Sequence, residues 1–336
     1  MSSHDATPDP HLDAGQSDRP NWARTGPPAL VGIVVSLSWL VLAAEATQAD
    51  STVARQESET RRPAVAAPNA RFTTGYVYSY VDRTRSSFSP SPGTTTILRI
   101  DETELDTAFA EGVATLPLTH SLGARGRVLA TFGTGKQNQI AFGPGTDDFE
   151  TFSYGAAAEI FLRDPDRGSL SMGGSFDRLD GQQGRTANEF GASVEAAIFF
   201  PDLGSGPVDW TLRFDYSQQQ ISGVDSPSDV DVDAYEVAVA AGWYMSKRSQ
   251  LVLGGRWSYA ENEFDSEQEF EGSLDFRWLL PVSIPVELAV GGSVGVSSYE
   301  EPPFSTDDRL IYGASVGLVF RFRSGPTLIE MTRAYD

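Results

Sequence analysis

Apolar and polar residues alternate with a period of two along most of the chain. Residues 270–280, FEGSLDFRWLL, show it plainly: Phe270, Gly272, Leu274, Phe276, Trp278 and Leu280 form one face, and Glu271, Ser273, Asp275 and Arg277 the other. The same alternation predicts about twelve strands, near 71–82, 104–116, 123–134, 150–162, 169–179, 188–200, 207–219, 233–245, 250–261, 268–280, 284–298 and 309–322. Their lengths suit a tilted strand that crosses a bilayer. Periodicity leaves open which face looks inward, since a soluble sandwich would bury the aromatics and a membrane barrel would turn them to lipid.

Two further patterns decide for the barrel. Short segments (LTHSLG, RDPDRG, PDLGSG, SKRS, PVSIP) follow strands two, four, six, eight and ten, while longer polar ones such as RTRSSFSPSPGTTT, GKQNQIAFGPGTDD, ISGVDSPSDVD and EEPPFSTDD make the other connections. That rhythm is expected of an up-and-down barrel with short periplasmic turns and longer outer loops, and a Greek-key sandwich would scramble it. On the apolar face, aromatics gather toward strand ends. Tyr78, Tyr80, Phe152, Tyr154, Phe190, Tyr216, Tyr235 and Tyr312 fall near the long connections, and Phe72, Phe200, Trp210, Trp243, Trp278 and Phe322 near the short ones. Between them lie small or aliphatic residues such as Ala192, Val194, Leu212, Val239, Leu274, Val290 and Val316. Two girdles around an apolar belt are a lipid-facing pattern. The predicted fold class is therefore all-β, an antiparallel up-and-down transmembrane barrel of about twelve strands.

Residues 25–44 carry no charge, and ALVGIVVSLSWLVLAA is the one long apolar run. Small residues follow it, where cleavage after Ala46 or Ala49 would fit an export signal. An uncleaved anchor is the alternative. The expected organisation is an export region at 1–49, a polar periplasmic linker at 50–70, the barrel at 71–322 and a periplasmic tail at 323–336.

The last predicted strand contains SVGLVFRF, with Ser315, Gly317, Phe320 and Phe322 in the spacing polar-x-Gly-x-x-aromatic-x-aromatic. It resembles the β-signal by which bacterial outer-membrane barrels are recognised for assembly. In that group the motif usually closes the chain, whereas RSGPTLIEMTRAYD follows it here. The resemblance covers roughly 71–322 and names no particular porin family. It implies outer-membrane lipid, lipopolysaccharide and the barrel-assembly machinery as partners, and the bacterial outer membrane as the location.

Composition removes other classes. With 46 acidic residues against 25 basic ones, the net charge is −21, a poor match to nucleic acid. The absence of cysteine removes thiolate chemistry, disulfides and a lipoprotein anchor. The histidines are His4, His11 and His120; two precede the export signal and the third falls in the turn LTHSLG, so no Ser/His hydrolase is expected and the protein is read as a non-enzyme. Asp229, Asp231 and Asp233 alternate as calcium ligands do, but Ala234 and Ala240 stand where an EF-hand needs Gly and Glu, so that motif is rejected. The stretch reads as a solvated acidic loop, with loose divalent binding that bridges lipopolysaccharide phosphates as the alternative, and no metal site or other cofactor is expected.

The polar face supplies the candidate site. Pairing Phe200 with Val208 sets Glu195 opposite Arg213, and similar registers bring Glu111 diagonal to Arg127 and Glu287 beside Arg277. Asp209, Asp215, Glu236, Arg256 and Asp275 share that face. A barrel of twelve strands about 4.8 Å apart, tilted about 40°, encloses a cylinder of roughly 24 Å, of which roughly 10 Å remains after side chains. The expected function is a porin-like channel for small hydrophilic solutes with a bias toward cations, carried by Asp209, Asp215 and Glu236 as carboxylates lacking obvious partners. The alternative is a closed structural, adhesive or receptor barrel that acts through acidic outer loops.

Overall fold

In the computed structural model, residues 65, 67–88, 95–139, 145–181, 186–201, 206–222, 230–262, 265–301 and 305–335 are described. The expected export signal and most of the linker lie outside them. Twelve strands follow one another: β1 (Asn69–Phe88), β2 (Thr95–Pro117), β3 (Leu122–Gln139), β4 (Gly145–Asp164), β5 (Gly168–Asp180), β6 (Thr186–Phe200), β7 (Val208–Ser222), β8 (Val230–Ser246), β9 (Ser249–Glu261), β10 (Ser266–Leu279), β11 (Val286–Glu301) and β12 (Ser305–Phe322). Each pairs antiparallel with its sequence neighbours, and β1 pairs with β12 to close the barrel. Closure leaves no unpaired edge, which a bilayer requires because lipid cannot hydrogen-bond a free backbone group. The closing seam is marked by side chains on both faces. Outside, Phe72 lies against Phe320 and Tyr80 against Tyr312, each pair at 6.3 Å. Inside, Arg83 of β1 donates from Nε to Asp307 of β12 at 3.1 Å.

The facing of the strands follows from exposure. Leu253, Ile198, Leu212 and Leu274 are about half exposed, whereas Glu195, Ser193 and Asp275 on the other face are partly buried. Exposed large apolar residues recur around the wall, from Ile160 on β4 to Val316 on β12. A continuous apolar belt of this extent is incompatible with water and fits lipid. The aromatics of FEGSLDFRWLL are thus outside and its charges inside.

One expectation changes. Three of the polar stretches read as long loops, at 83–96, 135–148 and 300–308, are largely strand. β1 runs on to Phe88 and β2 begins at Thr95, so the connection shrinks to 89–94; β3 and β4 are likewise separated only by 140–144. At about 3.3 Å per residue, the 20-residue β1 is roughly 66 Å long, well beyond what a tilted strand needs for a hydrocarbon core of about 30 Å. Extended hairpins outside the membrane need no apolar face, because the ladder still satisfies every backbone group while both faces meet water. The hydrophobic alternation therefore stopped at the membrane boundary although the pairing continued. At the other end the turns are tight, at 118–121, 165–167 and 247–248.

Candidate functional site

Inward residues of β1 to β9 enclose a cavity of about 470 Å³. Small residues make room for it: Gly155, Ala157, Gly173, Ser175, Gly191 and Ser193 all line it. Its charged lining comprises Arg71, Arg125, Arg127 and Arg213 together with Glu159, Asp177, Glu189, Asp215 and Glu236. Two of the glycines opposite inward aspartates have a specific task. Asp177 faces Gly155 and Asp275 faces Gly291 across the ladder, and a Cβ at either glycine would overlap the carboxylate lying flat on it.

The arginines are spoken for, in a pattern that differs from the expected one. Glu195 does stand opposite Arg213 in the register, but Arg213 turns along its own strand and holds Asp215 with hydrogen bonds of 2.6, 2.7 and 3.0 Å. Inward positions two apart lie about 6.6 Å from each other, within reach of a guanidinium that can fork onto a carboxylate. Glu111 sits between Arg71, at 3.0 Å, and Arg127, at 3.6 Å. Arg125 and Glu159 are directly opposed and paired at 2.8 Å. Arg256 gathers Glu269 at 2.6 Å, Glu271, and Glu236 at 3.6 Å. Arg277 lies 3.9 Å from Glu287, whose closer partner is Arg321 at 2.9 Å.

This corrects the choice of uncompensated carboxylates. Asp215 is bound by Arg213, Glu236 neighbours Arg256, and Asp209 is buried with Arg333 and Tyr244 on it. Among the described residues, no ion pair involves Asp177, Glu189, Glu195 or Asp275. Asp177 and Glu189 face each other directly across β5 and β6 and both line the cavity. Like charges placed so are unfavourable in an ordinary sheet. Their inward parity was readable from Phe176 and Phe190 beside them; the missing signal was that nearby arginines would be taken by other partners.

The short-turn end differs from the cavity. On one side Phe161 is 1% exposed, with Arg125 and Arg163 stacked on its ring at 5.3 and 4.6 Å. Arg321 and Glu287 are buried at the short-turn ends of β12 and β11. On the other side the segment after β12 folds back: a helical turn, Leu328–Glu330, runs into a π-helical turn, Met331–Tyr335. Thr327 caps it, accepting from the Glu330 amide. Leu328 and Met331 pack with Tyr244 and Leu279, inward residues of β8 and β10. Arg333 donates to Asp209 from Nε at 2.9 Å and from Nη2 at 2.5 Å, and lies over the rings of Phe199 and Tyr244. The one described histidine, His120, is an exposed residue of the β2–β3 turn at this end, away from the cavity.

The closed antiparallel barrel and its apolar belt define a transmembrane β-barrel. The chain matches no protein-family profile and no curated protein sequence. Among solved structures it is similar to an outer-membrane channel from Pseudomonas putida F1, at 11% identity and a TM-score of 0.47 over 80% of this chain and 99% of that one. It is also similar to the translocator domain of the autotransporter NalP from Neisseria meningitidis, at 11% identity and 0.41, covering 85% and 98%. The outer-membrane protease OmpT from Escherichia coli gives 11% identity and 0.29, covering 76% and 96%. A barrel fold by itself selects no function.

Proposed function

We propose that the protein is an outer-membrane channel for small hydrophilic solutes with a preference for cations. The observation that carries this reading is the polar cavity of about 470 Å³, lined by small and charged side chains from many strands. A lumen meant only to be sealed would be filled by large side chains, as the short-turn end is by Phe161. Selectivity is assigned to Asp177, Glu189 and Glu195, because carboxylates without a bound cation leave their field in the narrow path. Of the other expected lumen residues, Glu111, Arg127, Arg213, Asp215, Glu236, Arg256, Arg277 and Glu287 shape the wall as ion pairs. No catalytic step is assigned, since the cavity holds no histidine beside a nucleophile.

Reversal potentials in a salt gradient test it. Whichever of the full chain and a chain ending at Arg323 conducts should pass cations over anions, and in it Asp177→Asn with Glu189→Gln should lower that preference more than Asp215→Asn. An anion preference, or equal effects, would move the path elsewhere. Absence of currents both from the full chain and from a chain ending at Arg323 would favour the closed receptor or adhesive barrel.

Orientation belongs to the same proposal: the short turns face the periplasm and the extended hairpins the exterior, where lipopolysaccharide surrounds them. A protease site inserted at Ser226, in a connection outside the described residues, should be cut on intact cells, and one after Asp336 should be protected. Phe320 and Phe322, on the outer face of the closing strand, are the residues we assign to recognition by the assembly machinery.

A further inference from the structure

We infer that residues 323–335 form a resident stopper, which closes the lumen at the short-turn end and must be displaced for solutes to pass. The inference rests on the channel reading for its purpose, while the closure itself stands on geometry.

A dangling extension would leave its apolar residues in water or against lipid. Here Leu328 and Met331 are each 1% exposed, and they pack with Tyr244 and Leu279. Both of these point inward, since their neighbours Trp243 and Trp278 are exposed on the lipid face. Asp209 and Phe199 are inward by the same alternation, so Arg333 enters the barrel to meet them. The segment therefore lies within the mouth, against β6, β7, β8 and β10, with Phe161 and Arg163 occupying the β4 side.

Its attachment is of a kind that can be released. The latch is one arginine on one carboxylate, supported by the Tyr244 hydroxyl donating to Asp209 at 2.6 Å, by a hydrogen bond between Thr332 and Tyr244, and by Arg333 donating to the Phe200 carbonyl at 3.1 Å. One backbone bond, from the Leu328 amide to the Lys247 carbonyl at 3.1 Å, joins it to the β8–β9 turn. None of these contacts belongs to the ladder that closes the barrel, which ends at Phe322. The segment can leave without opening a strand pair. It would then uncover Asp209, a further carboxylate with no lumen arginine paired to it among the described residues.

The test uses the absence of cysteine. Ser193→Cys places a single thiol on the cavity wall, and its labelling by a membrane-impermeant thiol reagent added from the short-turn side of reconstituted vesicles reports access without requiring conduction. Solute-driven vesicle swelling reports conduction separately. Arg333→Glu should raise the labelling rate about tenfold or more, because a hydrogen bond to a charged group is strong enough to shift an open–closed equilibrium by that factor. Arg333→Glu with Asp209→Arg should bring it back toward the parent rate. Ending the chain at Arg323 should raise both labelling and swelling.

Unchanged labelling in Arg333→Glu and in the shortened chain, with the barrel folded by its heat-modifiable gel mobility, overturns the stopper. So does full swelling by the parent, which leaves the channel reading intact. Raised labelling without swelling supports the stopper and overturns the channel.

Discussion

Arg321→Ala should destabilise the barrel by about 3–5 kcal/mol, the usual cost of removing one partner from a buried ion pair. Arg321 and Glu287 have side chains only 3% and 2% exposed, and Arg321 donates to Glu287 Oε2 from Nε at 3.1 Å and from Nη2 at 2.9 Å. Without the guanidinium, the ionic partner that Glu287 keeps among the described residues is Arg277 at 3.9 Å. The loss arises from an uncompensated buried charge rather than from the net worth of the pair. Arg321→Met together with Glu287→Leu should consequently be much milder than either single truncation. Urea unfolding of the barrel in lipid vesicles separates the cases. A double variant as damaged as Arg321→Ala would show that the pair itself stabilises the β11–β12 seam.

Leu274→Arg should cost about 2–4 kcal/mol, because its side chain enters the hydrocarbon near mid-bilayer. Leu274 is 48% exposed on the outer face, level with Leu253 and Gly292 of the adjoining strands. Ser273→Arg changes the neighbouring residue to the same side chain on the opposite face. It faces Gly254 and Ser293, so the guanidinium has space and polar surroundings. Folding yield and urea midpoint in vesicles should fall for Leu274→Arg and hold for Ser273→Arg. Equal damage, or the reverse order, would place lipid on the wrong face of β10.

The alternation of side chains determined much of this protein without help from tertiary structure. Facing is a parity property: once Phe270 and Trp278 are outside, Asp275 and Arg277 are inside, and a slip of one residue would turn every charge to lipid. The register between β6 and β7 was legible for the same reason, since a short connection between Phe200 and Val208 leaves few ways to pair. Strand number and closure followed from counting such segments.

What the alternation did not reach was decided where its physical cause ended. Beyond the membrane no apolar face is required, so the extended hairpins of β1 to β4 carried no hydrophobic mark although their backbone pairing continues. The choice of ionic partner lay beyond register as well. Cα pairing sets Arg213 opposite Glu195, but side-chain reach gives it to Asp215, and only three-dimensional packing settles such competition. Most of all, Arg333 meets Asp209 across 124 positions of sequence. Residues 323–335 have no period that announces a strand or a long helix. Their place in the mouth is set by inward Tyr244, Leu279 and Asp209, which three separate strands bring together only when the barrel closes.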